Sequence, residues 1–388
     1  MHLLRDFMNT ITRPPLWLLT LLIMFPQLVE TIYSPALPYI SHSFAVNSKQ
    51  AAQTLSVYFI AFAIGIGLWG WMSDQIGRRS AMILGLICYG VGTLLAITTV
   101  NFKILLFARM ISAFGAAAGS VVVQTMLRDS YESAKLASVF SIMGAALAIS
   151  PVFGLVSGGW LVSHWGYMGV FIALFLLAIL LLILSAAFLP ETQPTSITNT
   201  RIRTLAVRMF HDNSLWQNAL LIALLNTMIF SYYSLAPFLF EQLGWNSEKF
   251  GRTGLLLSIS SLMGSLLNRK LLASNIEPKI LVRHACYIAM LSSMIAWILQ
   301  TTVWILIPMA GVVLAYGIAI PNILSRALCH YREQAGKAGS LFGLTYYLLL
   351  GCMLGLAGLV QKLGLVLTVC ALMTLILQPK PEPPVNGN

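Results

Sequence analysis

Gly70-Trp-Met-Ser-Asp74-Gln-Ile-Gly77-Arg78-Arg79 joins two apolar runs, 50–72 and 80–99. Each run is long enough to cross the hydrocarbon core of a bilayer as a helix, which takes about 20 residues. Glycine permits a tight turn and close helix approach. Asp74 can pair with the arginines or cap the helix that follows. A plain loop that keeps arginine on the cytoplasmic side accounts for Arg78 and Arg79, but not for the glycine–aspartate spacing. The stretch therefore reads as the surface turn of a membrane hairpin.

Composition extends that reading to the whole chain. Of 388 residues, 58% are hydrophobic and 9% charged, and mean hydropathy is +0.83. Soluble domains carry about 25% charged residues, so a bilayer must cover this surface. The windows 170–189 and 341–360 hold no charge at all. Apolar runs of that length exclude an outer-membrane barrel, whose strands are about 10 residues and alternate. The net charge of +11 comes from short clusters between apolar runs, so no nucleic acid is expected as partner. Cys88, Cys286, Cys329, Cys352 and Cys370 show no metal or disulfide spacing.

Twelve spans are predicted: 16–38, 50–72, 80–99, 103–125, 137–161, 167–189, 214–240, 250–268, 280–300, 302–324, 338–359 and 362–378. The first is read as a retained span, not a cleaved signal peptide. With both termini cytoplasmic, seventeen lysines and arginines fall inside and five outside, leaving Arg109 within a span. Such a bias sets orientation. The polar stretch from Pro190 to Arg203 reads as a cytoplasmic linker. The expected domains are 1–190 and 214–388, two six-helix bundles joined by residues 191–213. Tyr33-Ser34-Pro-Ala36 is echoed by Tyr233-Ser234-Leu-Ala236, and Gly70-x-x-x-Asp74 by Gly264-x-x-x-Asn268. These echoes fall in equivalent places of the two halves, the mark of a duplicated transporter with a central site.

Glu30 lies deep in the first apolar run, and an acid inside a membrane marks a functional site by default. Arg109 sits five or six residues into the fourth span and faces the interior, either joining Glu30 in one site or anchoring a helix. Together they are the expected proton-coupling residues, with Glu30 exchanging between protonated and ionised forms. Hydrogen bonding to a neighbouring helix is the structural alternative for Glu30. Tyr33, Asn226, Phe230 and Tyr233 are the expected substrate-binding residues, an aromatic lining suited to bulky amphipathic or cationic compounds. An aromatic belt at the membrane interface is the alternative for Tyr233. Gly70, Asp74, Gly77, Arg78 and Arg79 read as a conformational latch. Gly115, Pro151, Gly154 and Gly158 read as packing and hinge positions.

Gly70-x-x-x-Asp74-x-x-Gly77-Arg78-Arg79 between spans 2 and 3 resembles the signature of the major facilitator superfamily. Arg109-x-x-x-x-x-Gly115 in span 4 and Pro151-x-x-Gly154-x-x-x-Gly158 in span 5 resemble two further motifs of that family. With Tyr33-Ser-Pro35-Ala36, the combination is similar to the bicyclomycin-resistance (Bcr/CflA) branch of drug:proton antiporters. That branch places an acid where Thr31 stands here, and Ser150 occupies a position that is often glycine. The resemblance implies an all-α fold of twelve transmembrane helices, working as a monomer in a bacterial inner membrane. It implies proton-coupled efflux of drug-like small molecules, with substrate, protons and lipid as partners. A dedicated metabolite or siderophore carrier of the same fold is the first alternative, and a non-transporting receptor or assembly factor the second. No nucleotide loop, metal cluster or nucleophile elbow is present in the sequence. No cofactor and no enzymatic activity are expected, and an ion or substrate gradient must supply the energy.

Overall fold

The computed structural model describes residues 13–131, 133–194 and 202–378; Arg5, Arg201 and Lys380 lie outside them. In lipid every backbone polar group must be bonded within the chain, so apolar segments become helices. The spans are α1 Leu16–Ser43, α2 Ser48–Ile76, α3 Arg78–Thr98 and α4 Phe102–Ser130. One continuous helical stretch, Ser133–Phe188, breaks at Gly166 (φ 63°, ψ −166°) into α5 (133–165) and α6 (167–188). After a short linker helix, Ile202–Phe210, come α7 Asn213–Gln242, α8 Ser247–Ala273, α9 Pro278–Leu299, α10 Leu306–Ala327, α11 Ala335–Val360 and α12 Leu363–Leu377. All twelve expected spans are present to within a few residues.

Loop residues start these helices as their chemistry dictates. Asn47 and Gln50 form a reciprocal capping box on α2, and Asn246 accepts from Lys249 N on α8; such caps contribute about 1 kcal/mol each. The helices form two six-helix bundles. In the first, α1 packs on α4 and α5, and α2 on α3 and α4. In the second, α7 packs on α10, α11 and α12, and α8 on α10. The α7 helix is almost wholly enclosed, whereas Trp17, Ile64, Leu176 and Ile298 lie on the outer surface, where lipid replaces water as solvent.

The bundles meet along α2–α11 and α5–α8, and where α1 approaches α7. One end, named the latch end for the role expected of the α2–α3 turn, carries that turn and the linker helix. At the opposite, distal end, hydrogen bonds cross between bundles. Ser34 Oγ donates to Tyr233 O (2.5 Å) and Ser247 Oγ to Pro35 O (3.1 Å). Ser56 Oγ donates to Gly351 O (2.7 Å) and Gln53 Nε2 to Gly355 O (3.1 Å). Bonds between helices in a membrane average about 0.6 kcal/mol, so four of them make a real but breakable closure.

Candidate transport site

A cavity of about 360 Å³ lies between the two bundles, lined from α1, α2, α4, α5, α7, α8, α10 and α11. Glu30, Phe230 and Tyr233 are buried at its blind end, next to the crossing bonds. Towards the latch end its walls include Gln124 and Ser265, which are half-buried, and the exposed Leu324. The cavity is therefore closed distally and opens towards the latch end.

The sequence places Glu30 on the cavity wall because it follows Pro26 and Gln27 on one face of α1, and all three line the space. Gly154 and Gly158 of α5 press against Thr31 and Ile32 just beyond it. A side chain at either position would push α5 off α1, so these glycines seat the acid between two helices. Pro151 lines the same wall. Gly115 packs against the Tyr89 and Gly85 backbones of α3, remote from the cavity wall.

Arg109 sits behind Glu30 in the first bundle, 1% exposed, and close enough to interact electrostatically with it. Its guanidinium is sandwiched between Tyr33 and Tyr58, with Cζ 4.0 and 4.5 Å from the two ring centroids. Cation–π contacts of a desolvated guanidinium are worth about 2 kcal/mol or more. Its Nε and Nη2 have no hydrogen-bond partner, nor do the Tyr33, Tyr58 and Tyr89 hydroxyls. Nε and Nη2 are the pair of donors that grips a carboxylate two-handedly. The structure thus brings Glu30 and Arg109 into one neighbourhood but not into contact.

Of the four residues expected to bind substrate, Asn226, Phe230 and Tyr233 line the cavity along one face of α7. Tyr33 is turned away from it, against Arg109 and 5.9 Å from the Phe171 ring centroid. Asn226 is held rigidly: its Nδ2 donates to Ile222 O (2.8 Å) and its Oδ1 accepts from Tyr316 Oη (3.1 Å). Phe59 on α2 meets Phe230, with centroids 4.5 Å apart, and Phe62 meets Tyr347 of α11 at 4.9 Å. Tyr316, Tyr346 and Tyr347 complete an aromatic wall on the second bundle within electrostatic reach of Glu30. Sequence reading missed these three, and Tyr58 and Tyr89, because tyrosine inside an apolar run looks the same as tyrosine at a membrane interface.

At the latch end, Gly70 touches Ser340 of α11. Arg78 is buried, with its guanidinium shared among Asp74, Ser73 Oγ (3.0 Å) and Asp129 Oδ2 (2.9 Å). Arg79 donates from Nη2 to Ala186 O (2.7 Å). These partners of Arg78 and Arg79 all belong to the first bundle.

Two bundles of six helices around a central cavity closed at one end define a secondary transporter. The chain belongs to the Major Facilitator Superfamily, whose family model matches residues 17–356. An uncharacterized transporter of Rickettsia bellii is 32% identical over 362 residues, covering 88% of this chain and 89% of the relative. Multidrug resistance protein D of Escherichia coli is 24% identical over 374 residues, covering 93% and 94% of the two chains. Among solved structures, the xylose transporter XylE in a partially occluded inward-open conformation superposes with a TM-score of 0.74 at 12% identity, over 94% of this chain and 95% of that one. The protein is a multi-pass membrane transporter.

Proposed function

We propose that this transporter exports drug-like amphipathic compounds in exchange for protons, with Glu30 as the exchanging group. The carrying observation is the position of Glu30 on the wall at the blind end of the cavity, with the unpaired Arg109 donors behind it. A buried acid beside a cation holds a charge that either a proton or a cationic substrate can neutralise. Substrate and proton then exclude one another, and net exchange follows. The aromatic wall of Phe230, Tyr233, Tyr316 and Tyr347 offers stacking and cation–π contact. The multidrug relative supports drug efflux as the task. The charge bias makes the latch end cytoplasmic, so the described conformation faces inward. The halves 1–190 and 214–388 rock as units about the linker 191–213, and the chain works as a monomer.

Tetraphenylphosphonium transport into proteoliposomes under an imposed pH gradient tests the reading. The Glu30→Gln variant still binds the probe, and its gradient-driven flux falls at least about ten-fold, as expected for an essential proton-transfer group. Wild-type flux from that variant would sink proton coupling at Glu30. A second reading, a carrier for one polar metabolite, draws on Ser258, Ser261 and Ser265, which line one cavity wall at helical spacing. A metabolite comparison between a deletion strain and its complemented parent separates the two.

A further inference from the structure

The first turn of α3 lacks a cap from its own neighbours: Gly77 stands at the N-cap position and supplies no side chain. The orphan N–H groups of that turn are instead taken by Glu191, 113 residues on, where the chain leaves α6 for the linker. Arg78 N donates to Glu191 Oε1 (2.8 Å) and Arg79 N to Oε2 (3.1 Å). Thr192 N and Gln193 N also donate to Oε1, both at 3.0 Å. One carboxylate thus accepts four backbone N–H groups. Gln193 completes the clasp by donating from Nε2 to Asp74 O (2.7 Å). Gly77 has φ +93°, and a Cβ there would land on Glu191 Oε2. The glycine is required twice, for its backbone conformation and for the space the carboxylate fills.

The consequence falls on Arg78. Its backbone is held by Glu191 while its side chain divides between Asp74 and Asp129. A shift of the α3 start would move the guanidinium off both acids. We propose that Glu191 is a positioning residue of the latch, fixing Arg78 so that the Asp74–Arg78–Asp129 network sets the balance between the open and closed latch end. The link runs from the segment that leads to the second bundle straight to the turn that the first bundle presents. This rests on the reading of the α2–α3 turn as a latch, which belongs to the transport cycle proposed above.

The test uses the full-length protein with spin labels at Ser80 on α3 and Arg269 on α8, both exposed and on opposite bundles. Their distance distribution reports opening of the latch end without any substrate. Glu191→Ala and Asp74→Asn each shift the populations in the same direction, and the double variant shifts them no further than one alone. Gradient-driven tetraphenylphosphonium flux falls about ten-fold in each single variant, with less than about two-fold further loss in the double variant and binding kept, as coupled residues require. Should Glu191→Ala not fold, Glu191→Gln keeps the side-chain shape and one acceptor and reads the same cycle. Unchanged populations in the Glu191 variants, or losses that multiply with Asp74→Asn, would overturn the proposal and leave Glu191 a plain helix cap. Absent flux in the wild type, with the population shifts intact, would instead count against proton-driven export and leave the clasp standing.

Discussion

Arg109 is the largest fully buried side chain among the described residues, and two tyrosine rings hold its charge where no acid touches it. A guanidinium lies flat on an aromatic ring, whereas an ammonium is a compact, strongly hydrated point charge. Replacing Arg109 by Lys therefore keeps the charge and loses the sandwich, about 2 kcal/mol in a desolvated site. Gradient-driven flux of the Arg109→Lys variant is expected to fall more than about ten-fold, while Tyr58→Phe, which keeps the ring, stays within about three-fold; flux in proteoliposomes measures both. Glu30 and Arg109 were legible because a charge inside an apolar run has no bland environment. Tyr58 and Tyr89 were not, since nothing in a single span tells which neighbour a tyrosine will face.

The α2–α11 contact shows how much an element depends on residues that carry no charge. Gly351, Gly355 and Gly358 place the α11 backbone directly against Ile60, Ser56 and Gln53 of α2. Their spacing is the small-residue pattern of tight helix pairs, a signal the sequence did contain. Gly355→Leu drives a side chain into Ser56 and wedges the distal end apart. Thiol-reactive labelling of a cysteine at Ser34 in a cysteine-free background should then rise several-fold, since burial at the crossing shields it. The halves repeat one another here too. Gly70 lies near Val121 of α4, and its echo Gly264 lies against Leu314 of α10. Arg78 bonds to both Asp74 and, on α4, Asp129, whereas Asn268 meets Asn322 of α10 through a neutral hydrogen bond of 2.7 Å. The echo predicted equivalent places; only the packing shows that the first is bridged by charges and the second by a neutral hydrogen bond.

At the scale of the whole molecule, closure sits at one end and the opening at the other, so transport requires both to reverse. Among the described residues, a side-chain contact between His42 Nε2 and Glu241 Oε1 (3.1 Å) crosses between the bundles at the exposed distal end. Exposed pairs contribute at most about 1 kcal/mol, so this contact marks the closed end more than it holds it shut. It also offers a handle. In a cysteine-free background, His42→Cys with Glu241→Cys, bridged through two disulfides by a short bis-methanethiosulfonate that releases methanesulfinate at each cysteine, should abolish transport, and a reductant should restore it. Retained flux in the bridged protein would mean that the distal end need not open. Weakening closure gives the complementary outcome: Ser34→Ala removes one buried bond of roughly 0.6 kcal/mol, shifting the open-to-closed ratio by about three-fold in spin-label distances.

The spaced motifs from Gly70 to Arg79, Arg109 to Gly115 and Pro151 to Gly158 marked the family, and the echoes between the halves marked the two bundles. Length and polarity determined the twelve spans, because in a bilayer an apolar run of sufficient length has one stable form. The Gly70 to Arg79 turn and Glu30 stood out for the same reason, as polar residues where polarity is costly. Tertiary structure alone decided that Tyr33 turns to Arg109 and not to the cavity, that Tyr316, Tyr346 and Tyr347 build the aromatic wall, and that Glu191 caps a helix 113 residues before it. Lipid-facing and partner-facing surfaces are both apolar in such a chain, so the hydrophobic pattern does not say which face of a helix meets which neighbour. That choice is made by close packing and hydrogen-bond satisfaction between segments far apart in sequence.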